Sequence, residues 1–157
     1  MKEISNLTGE EFYRKINEIY ELTKFNAIQY LNYKKWFYEI SLSRILNNLG
    51  EIFYEEVDGS VVGVCICKKD CELKICTIFV KEEFRNKGIG TNLLNSAFTY
   101  LLTTKPVISI SKTNIKYFSK IIKKYGWILS HIGHYNEVEF FYNEWRINKW
   151  IKILLTN

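Results

Sequence analysis

The sequence has no long apolar run. No segment reaches the roughly 18 consecutive apolar residues that indicate a transmembrane helix, so we expect no membrane partner. The first residues, MKEISNLTGEEF, contain acidic side chains and no apolar core, so we see no secretory signal and expect a cytoplasmic protein. The 157 residues contain no repeat, low-complexity segment or linker. We therefore expect a single domain over residues 1–157.

Metal-ligating residues are few and are not spaced as a metal site. His131 and His134 fall in a late strand or loop, and we interpret both as structural or surface groups. The four cysteines follow the pattern C-x-C-x3-C-x4-C, which is not a familiar zinc spacing. We interpret them as buried thiols and expect no metal. If a hairpin turns near residue 70, Cys65 lies opposite Cys76.

Glycine is scarce as well, with eight in the chain, yet two of the eight fall in the stretch FRNKGIGTNLL at 84–94. Glycines let the backbone approach a ligand without a Cβ atom in the way. Successive N–H groups in such a turn, followed by a helix N-terminus, form an anion site. Arg85 and Lys87 add positive charge. The stretch is neither a Walker A loop nor a dinucleotide fingerprint, but it is typical of a pyrophosphate site.

The chain is mildly basic, with 22 basic and 17 acidic residues and a net charge of +5. This charge suits an anionic ligand such as a nucleotide cofactor. It permits contact with nucleic acid without indicating it, because most such excesses only keep a protein soluble.

The apolar periodicity predicts the element order α-α-β-β-β-α-β-α-β-β, with residues 3–5 as a further short strand at the start. Thr8 begins the first helix with capping-box spacing, and a second helix runs from about Tyr33 to Leu49. Asp58-Gly59 is a strong hairpin signal. The order predicts an α/β fold of the mixed α+β kind, with helices on the faces of a mixed sheet.

The last segment, 143–157, has an amphipathic pattern. Its apolar residues share one helical face: Ile147, Trp150, Ile151 and Leu154. We expect an extra C-terminal helix that stabilises the fold or a homodimer. Three basic residues opposite the apolar face are weak evidence for a membrane surface.

The loop at 84–94 resembles the acetyl-CoA loop of the GNAT-type N-acetyltransferases, [Q/R]-x-x-G-x-[G/A], between the fourth strand and the third helix. Arg85, Gly88 and Gly90 fill this pattern. The stretch KKYGW at 123–127 resembles a second motif, and the element order extends the likeness over about residues 3–142. The resemblance implies a mostly antiparallel central sheet flanked by helices. It also implies acetyl-CoA as co-substrate and an amine acceptor.

The resemblance further implies which residues bind the cofactor. Backbone groups of the fourth strand run beside the pantetheine arm, which enters where the fourth and fifth strands splay apart. N–H groups of the loop hold the pyrophosphate, and an asparagine at a helix start contacts the arm. The implied residues are Ile78, Phe79, Val80, Arg85, Asn86, Lys87, Gly88, Ile89, Gly90, Thr91 and Asn114.

Acyl transfer to an amine needs an acid for the leaving thiolate and a base or water chain for the amine proton. N–H groups near Phe79 would polarise the thioester carbonyl. Many relatives carry the acid as a tyrosine four residues before the glycine of Y-x-x-x-G-F, where this chain has Ile122. We take Tyr125 as the candidate acid, with Tyr117 and Tyr135 as alternatives.

The sequence also leaves more than one candidate for the base that takes the amine proton. The fourth-strand acid that some relatives use corresponds to Lys74, which is not a carboxylate. Glu72 lies two residues away and is the candidate base. Glu56 and a water relay are the alternatives.

The acceptor is indicated only by an aromatic-rich segment at 24–40, which roofs the acceptor pocket in the family. These aromatics either line a pocket for an apolar amine or pack the helices onto the sheet. We therefore predict acetylation of a primary amine of a small molecule or amino-acid-like metabolite. The alternatives are a macromolecular amine (on a protein or a charged tRNA) and a binding module that holds acyl-CoA without turnover.

Overall fold

The computed structural model describes residues 1–28, 30–135 and 138–143. Its helices are α1 Gly9–Thr23, α2 Tyr33–Lys35, α3 Leu42–Leu46, α4 Ile89–Leu101 and α5 Ile115–Tyr125, with a π-helical segment, Trp36–Ser41, joining α2 to α3. Three 3-10 turns span Ile4–Asn6, Lys24–Ile28 and Glu82–Phe84. The strands are β1 Lys2–Glu3, β2 Gly50–Val57, β3 Ser60–Lys69, β4 Leu73–Val80, β5 Val107–Ser111, β6 Leu129–Tyr135 and β7 Val138–Asn143.

Within the described residues, the seven strands form one sheet in the order β1-β2-β3-β4-β5-β7-β6. All neighbouring strands are antiparallel except β4 and β5, which are parallel. The predicted element order and the mixed, mostly antiparallel sheet are confirmed. The second predicted helix consists of α2, the π-helical segment and α3.

The β2–β3 and β3–β4 hairpins differ in how well the sequence predicted them. Asp58 and Gly59 both have positive φ, 50° and 76°, as a two-residue hairpin turn of type I′ requires. The β3–β4 connection is wider, because Lys69 pairs with Leu73 across three loop residues. This connection and a register shift between Ile66 and Cys67 together place Cys65 opposite Ile78, and the prediction that it faces Cys76 is wrong.

The sheet has an apolar core on each face because side chains alternate along its central strands. Phe53, Cys65 and Cys67 point into one core, which α4 and α5 cover. Their neighbours on the same strands, such as Ile52 and Val64, point into the other core, which α1 and the helical segments at 33–46 cover. The core that α4 and α5 cover carries Cys65 and Cys67 as buried apolar groups. Cys76 is partly buried and Cys71 is exposed, so the prediction of buried thiols is wrong for Cys71; all four cysteines are free thiols.

Two further sequence predictions concern the ends of the chain. Thr8 precedes α1 as predicted, but among the described residues its side chain makes no capping hydrogen bond. The predicted C-terminal helix lies outside the described residues except for Asn143, which ends β7. In the part of the chain that the structure describes, no helix combines the length and apolar character needed to cross a membrane.

Candidate active site

A cleft opens in the sheet between β4 and β5. The two strands are paired at only two positions, Lys74 with Val107 and Ile75 with Ile108, although β4 continues to Val80. Beyond Ile75 the strands diverge. The splayed gap expected from the family resemblance is therefore present at this place.

The divergence begins at a β-bulge that the sequence analysis missed. Cys67 on β3 pairs with Ile75, but the next pair is Ile66 with Thr77, so Cys76 is an extra residue on β4. A bulge bends its strand and interrupts the ladder of hydrogen bonds. Ile75 and Ile78 pack on the same core although they are three residues apart. In a regular strand, residues on one face are two apart, so this spacing of apolar residues is the feature of the sequence that indicates a bulge.

The cleft contains a cavity of about 300 Å³, which we call the first cavity. Strand β4, strand β5 and the first two turns of α5 form most of its wall. Six residues of the predicted cofactor set line it: Ile78, Phe79, Val80, Arg85, Gly90 and Asn114.

The remaining predicted cofactor residues lie in the loop at one end of this cavity. Gly88 (φ 85°) and Asn86 (φ 60°) adopt left-handed backbone conformations, and α4 begins at Ile89. A Cβ atom added at Gly88 would meet no heavy atom within 4 Å, so the loop faces open space. Thr91 is exposed in the first turn of α4. The N–H groups of this first turn have no acceptor within the helix and lie at the loop end of α4.

The side chains of this loop hold it to the sheet. Arg85 donates from Nε to the Val80 carbonyl at 3.0 Å, and its guanidinium lies 5.5 Å from the centre of the Tyr117 ring. The Ile89 side chain packs against β3 at Gly63. Lys87 is exposed, with its ammonium 5.2 Å from the Phe84 ring. The loop thus combines backbone donors with two cations, as an anion site requires.

A second cavity, of about 240 Å³, adjoins the first. Four residues line both cavities, and they mark the junction between them: Tyr30, Cys76, Thr77 and Ser109. The other residues that line the second cavity are aromatic, apolar or basic: Leu31, Tyr33, Trp36, Arg44, Lys68 and Lys74. The junction lies at the bulge, where the two strands separate.

The cations of the second cavity are held by two acidic side chains. Arg44 pairs with Asp70 at 2.6 Å, and Lys68 pairs with both Asp70 and Glu72 at 3.1 Å. Lys74 lies 3.6 Å from Glu72. Three cations therefore face two carboxylates, and this group, Arg44, Lys68, Asp70, Glu72 and Lys74, is called the charged cluster below.

Burial and the contacts of the charged cluster change the pKa values of two of its members and of Cys76. Burial alone would raise the pKa of Asp70, but hydrogen bonds from Lys68, Cys71 and Arg44 outweigh it and hold that pKa well below its usual value. Burial would lower the pKa of Lys68, and its bonds to Asp70 and Glu72 raise it instead. Burial raises the pKa of Cys76 to about 11, against the opposing effect of Lys74. Cys76 is therefore a neutral thiol at neutral pH.

The structure does not bring Tyr125 to the cavities. Its ring packs on Phe98 and Trp127, and its hydroxyl donates to Asn95 Oδ1 at 3.2 Å, so it belongs to the contact between α4 and α5. Tyr117 lines the first cavity at the loop end, beside Arg85. Tyr135 ends β6, and its side chain lies outside what the structure describes.

The two candidate carboxylate bases also lie away from the cleft. Glu72 is in the turn before β4 rather than in the strand, and it is bound by Lys68 and Lys74. Glu56 lies on β2 and is bound by Lys2 and Lys15. Neither glutamate is among the residues that line either cavity.

One residue of the junction was missed as a candidate for chemistry. The sequence indicates Tyr30 only as one aromatic of the segment at 24–40, yet Tyr30 lines both cavities. It follows the 3-10 turn Lys24–Ile28, and its N–H donates to the Asn26 carbonyl at 2.8 Å. No local pattern reveals this position, because the turn that carries Tyr30 to the junction has no sequence motif.

Comparison with known proteins identifies the fold. The model of the acetyltransferase (GNAT) family matches residues 9–115, which include the bulge, the Gly88 loop and both strands of the cleft. The chain belongs to the acetyltransferase (GNAT) family. No curated protein matches this GNAT chain, but solved structures do.

Three solved structures illustrate the likeness. An N-acetyltransferase from Staphylococcus aureus Mu50 is 17% identical with a TM-score of 0.63, covering 86% of this chain and 94% of its own. PaiA N-acetyltransferase from Thermoplasma acidophilum, solved in complex with coenzyme A, is 16% identical with a TM-score of 0.59. The match covers 84% of this chain and 94% of the PaiA chain. Diaminobutyrate acetyltransferase EctA from Paenibacillus lautus is 15% identical with a TM-score of 0.59, covering 83% and 88%. At these identities the likeness establishes the fold.

The residues of the cleft fit acetyl-CoA, the acyl donor of this GNAT protein. Gly88 has a left-handed backbone conformation and leaves open space for a phosphate group. A Cβ atom at Gly90 would lie 3.7 Å from the Val80 side chain, which is an ordinary van der Waals contact. Asn26 lines the first cavity, and among the described residues its amide Nδ2 is buried without a hydrogen-bond partner. The Asn26 side chain also lies beside the Tyr33 hydroxyl, whose pKa is raised by burial against the opposing effect of Thr23, Asn26 and Thr77. In the described part of the chain, no three His, Cys, Asp or Glu side chains are grouped to hold a metal ion.

Proposed function

We propose that this GNAT protein transfers an acetyl group from acetyl-CoA to a primary amine of a small molecule or amino-acid-like metabolite in the cytoplasm. The observation that carries the proposal is the meeting of two cavities at the β4 bulge. The first cavity ends at the Gly88 loop, which we take as the pyrophosphate site, and no residue of that loop lines the second cavity. A donor and an acceptor bound in the two cavities would face each other at the junction.

Acetyl-CoA supplies an activated acyl thioester when bound. Arg85 and the N–H groups from Asn86 to Thr91 would hold its pyrophosphate, and the edge of β4 from Ile78 to Val80 would run beside its arm. Backbone N–H groups that the bulge releases from the ladder would stabilise negative charge on the reacting carbonyl oxygen. Such donors cost no rearrangement during the reaction because the strand already fixes them.

The chemistry at the junction needs two proton transfers. The amine nitrogen bonds to the acyl carbon as the bond from that carbon to sulfur breaks. Because no glutamate candidate lines the cavities, we assign the amine proton to water. The leaving thiolate takes a proton from a phenol, and Tyr30 is the tyrosine that lines both cavities.

The size of the second cavity supports a small acceptor. Its volume, about 240 Å³, suits a molecule the size of an amino acid, which favours this class over a protein surface or a charged tRNA. Among the structural relatives, EctA was solved with L-2,4-diaminobutyric acid and coenzyme A, so the same fold holds an amino acid in that protein.

The test is to mix the protein with acetyl-CoA and a panel of small primary amines and to follow the release of free thiol. We expect thiol release that depends on an amine, with a product heavier by one acetyl group at nitrogen in mass spectrometry. Tight binding of acetyl-CoA with no release for any amine would instead support the binding module, for which the absence of a tyrosine at Ile122 is the specific observation.

A further inference from the structure

The second cavity has a feature that an ordinary amine site would not have, which is its positive charge. Arg44, Lys68 and Lys74 all line it, and the two acidic partners Asp70 and Glu72 do not. Asp70 and Glu72 compensate two of the three cations, so the charged cluster keeps a net charge of +1. Like charges repel, so this net positive charge disfavours an acceptor whose only charge is an ammonium group.

The cations are also unequally satisfied. Lys68 is nearly buried and bonds Asp70 and Glu72 at 3.1 Å, while Arg44 bonds Asp70 at 2.6 Å. Lys74 has a looser contact, 3.6 Å to a Glu72 oxygen that Lys68 already uses. Lys74 is therefore the cation best able to turn toward a ligand, since it gives up the least on doing so.

A second observation concerns the aromatic part of the lining. Tyr33 lines the same cavity and is only 3% exposed. Burial raises the pKa of its hydroxyl, and the polar side chains of Thr23, Asn26 and Thr77, which lie beside the hydroxyl, oppose that rise. The Trp36 ring stacks 5.4 Å from the Tyr33 ring and gives this wall an apolar surface.

We propose that the second cavity recognises an acceptor that carries a carboxylate beside its amine, with Lys74 as the main contact for the carboxylate and the Tyr33–Trp36 wall covering the apolar part. This inference rests on the proposed function for the identity of the second cavity as the acceptor site. The cationic surroundings serve the reaction too, because they favour the neutral form of the amine, which is the nucleophile.

The experiment compares amino acids with their decarboxylated partners. The pairs are tryptophan with tryptamine, tyrosine with tyramine, phenylalanine with phenethylamine, and lysine with 1,5-diaminopentane. Binding to the full chain is measured by calorimetry in the presence of CoA, which lacks the acyl group and so prevents turnover. Thiol release with acetyl-CoA is then measured for the same pairs.

Two variants make the experiment specific. Lys74→Gln removes the proposed contact, and Lys35→Gln removes one positive charge from an exposed side chain next to Trp36 that does not line the cavity. For at least one pair we expect the carboxylate member to bind more tightly to the wild type. Lys74→Gln should weaken that member about tenfold, the usual effect of losing one charged hydrogen bond, and Lys35→Gln should not.

The outcomes separate this inference from the proposed function. Equal binding of both members, no binding of any carboxylate member, or an unchanged preference in Lys74→Gln would overturn the inference. Preference for carboxylates without thiol release would leave the inference standing and remove the proposed function. Thiol release without any preference for carboxylates would support the proposed function and overturn this inference.

Discussion

Tyr30 is the residue on which the proposed proton transfer depends. It lies at the junction of the two cavities with Cys76, Thr77 and Ser109. A phenol donates a proton to a thiolate more readily than a serine or threonine hydroxyl does. The Cys76 thiol, with its pKa raised to about 11, is a poorer donor.

Replacing Tyr30 with Phe should lower kcat by roughly 100-fold, the usual contribution of a general acid, while acetyl-CoA affinity stays unchanged. Tyr125→Phe is the matched control, because its hydroxyl bonds Asn95 between two helices. Steady-state kinetics of thiol release for both variants would check this. A large loss of kcat in Tyr125→Phe with none in Tyr30→Phe would return the role to the residue predicted from the sequence.

Single residues were the hardest feature to predict from the sequence. The glycine loop could be assigned because backbone conformation itself dictates glycine there, and Gly88 does have a positive φ. The acid and the base could not be assigned, because their roles depend on which side chains the tertiary structure brings to the bulge. Tyr125 and Glu72 were chosen by spacing along the chain, and both are used in other contacts.

Among the elements, the β3–β4 connection supplies the two carboxylates of the charged cluster, Asp70 and Glu72. Asp70 accepts hydrogen bonds from Arg44, which precedes β2, and from Lys68 on β3, so it ties the α3 segment to the sheet. Its carboxylate also accepts the N–H of Cys71 at 2.6 Å. These bonds stabilise the ionised form and lower the pKa of Asp70 in the folded state.

Asp70→Asn should therefore destabilise the fold at neutral pH by on the order of 1–2 kcal/mol, since a partly exposed pair contributes less than a buried one. The folded-state pKa of Asp70 is depressed, so its contribution is present above the unfolded value of 3.8 and is lost as pH falls further. Denaturant unfolding of both proteins at pH 7, 5, 4 and 3 would show this.

We expect the difference in unfolding free energy between wild type and Asp70→Asn to be constant from pH 7 to about 5 and to shrink below pH 4. A difference that is the same at pH 3 as at pH 7 would mean that Asp70 ionisation does not stabilise the fold.

The β4 bulge shows why the elements were predicted better than their pairing. The alternation of apolar residues and the Asp58-Gly59 turn are local signals, and both hairpin strands appear where expected. The pairing of β4 is set by one extra residue, Cys76, whose effect is visible only against β3. The same residue displaces Cys65 from the predicted partner and opens the cleft.

At the scale of the whole molecule, helices on both faces bury the sheet and leave the β4–β5 gap as the entrance to its middle. The family fold could be predicted from the loop motif and the element order together. The segment at 144–157 stays a prediction, as does the homodimer, because that part of the chain lies outside the described residues. The single-domain organisation over 1–157 likewise stays a prediction.

Acetyl-CoA binding by the Gly88 loop is tested most directly by calorimetry on Gly88→Val, with Gly59→Val as the control. Both glycines have positive φ, 85° and 76°, and neither would place a Cβ atom within 4 Å of another heavy atom, so the backbone strain is alike. Only Gly88 lies in the loop that would hold the pyrophosphate. We predict that Gly88→Val loses acetyl-CoA affinity by at least about tenfold while Gly59→Val, of similar melting temperature, binds as the wild type does. Unchanged affinity in a folded Gly88→Val protein would contradict acetyl-CoA binding at this loop.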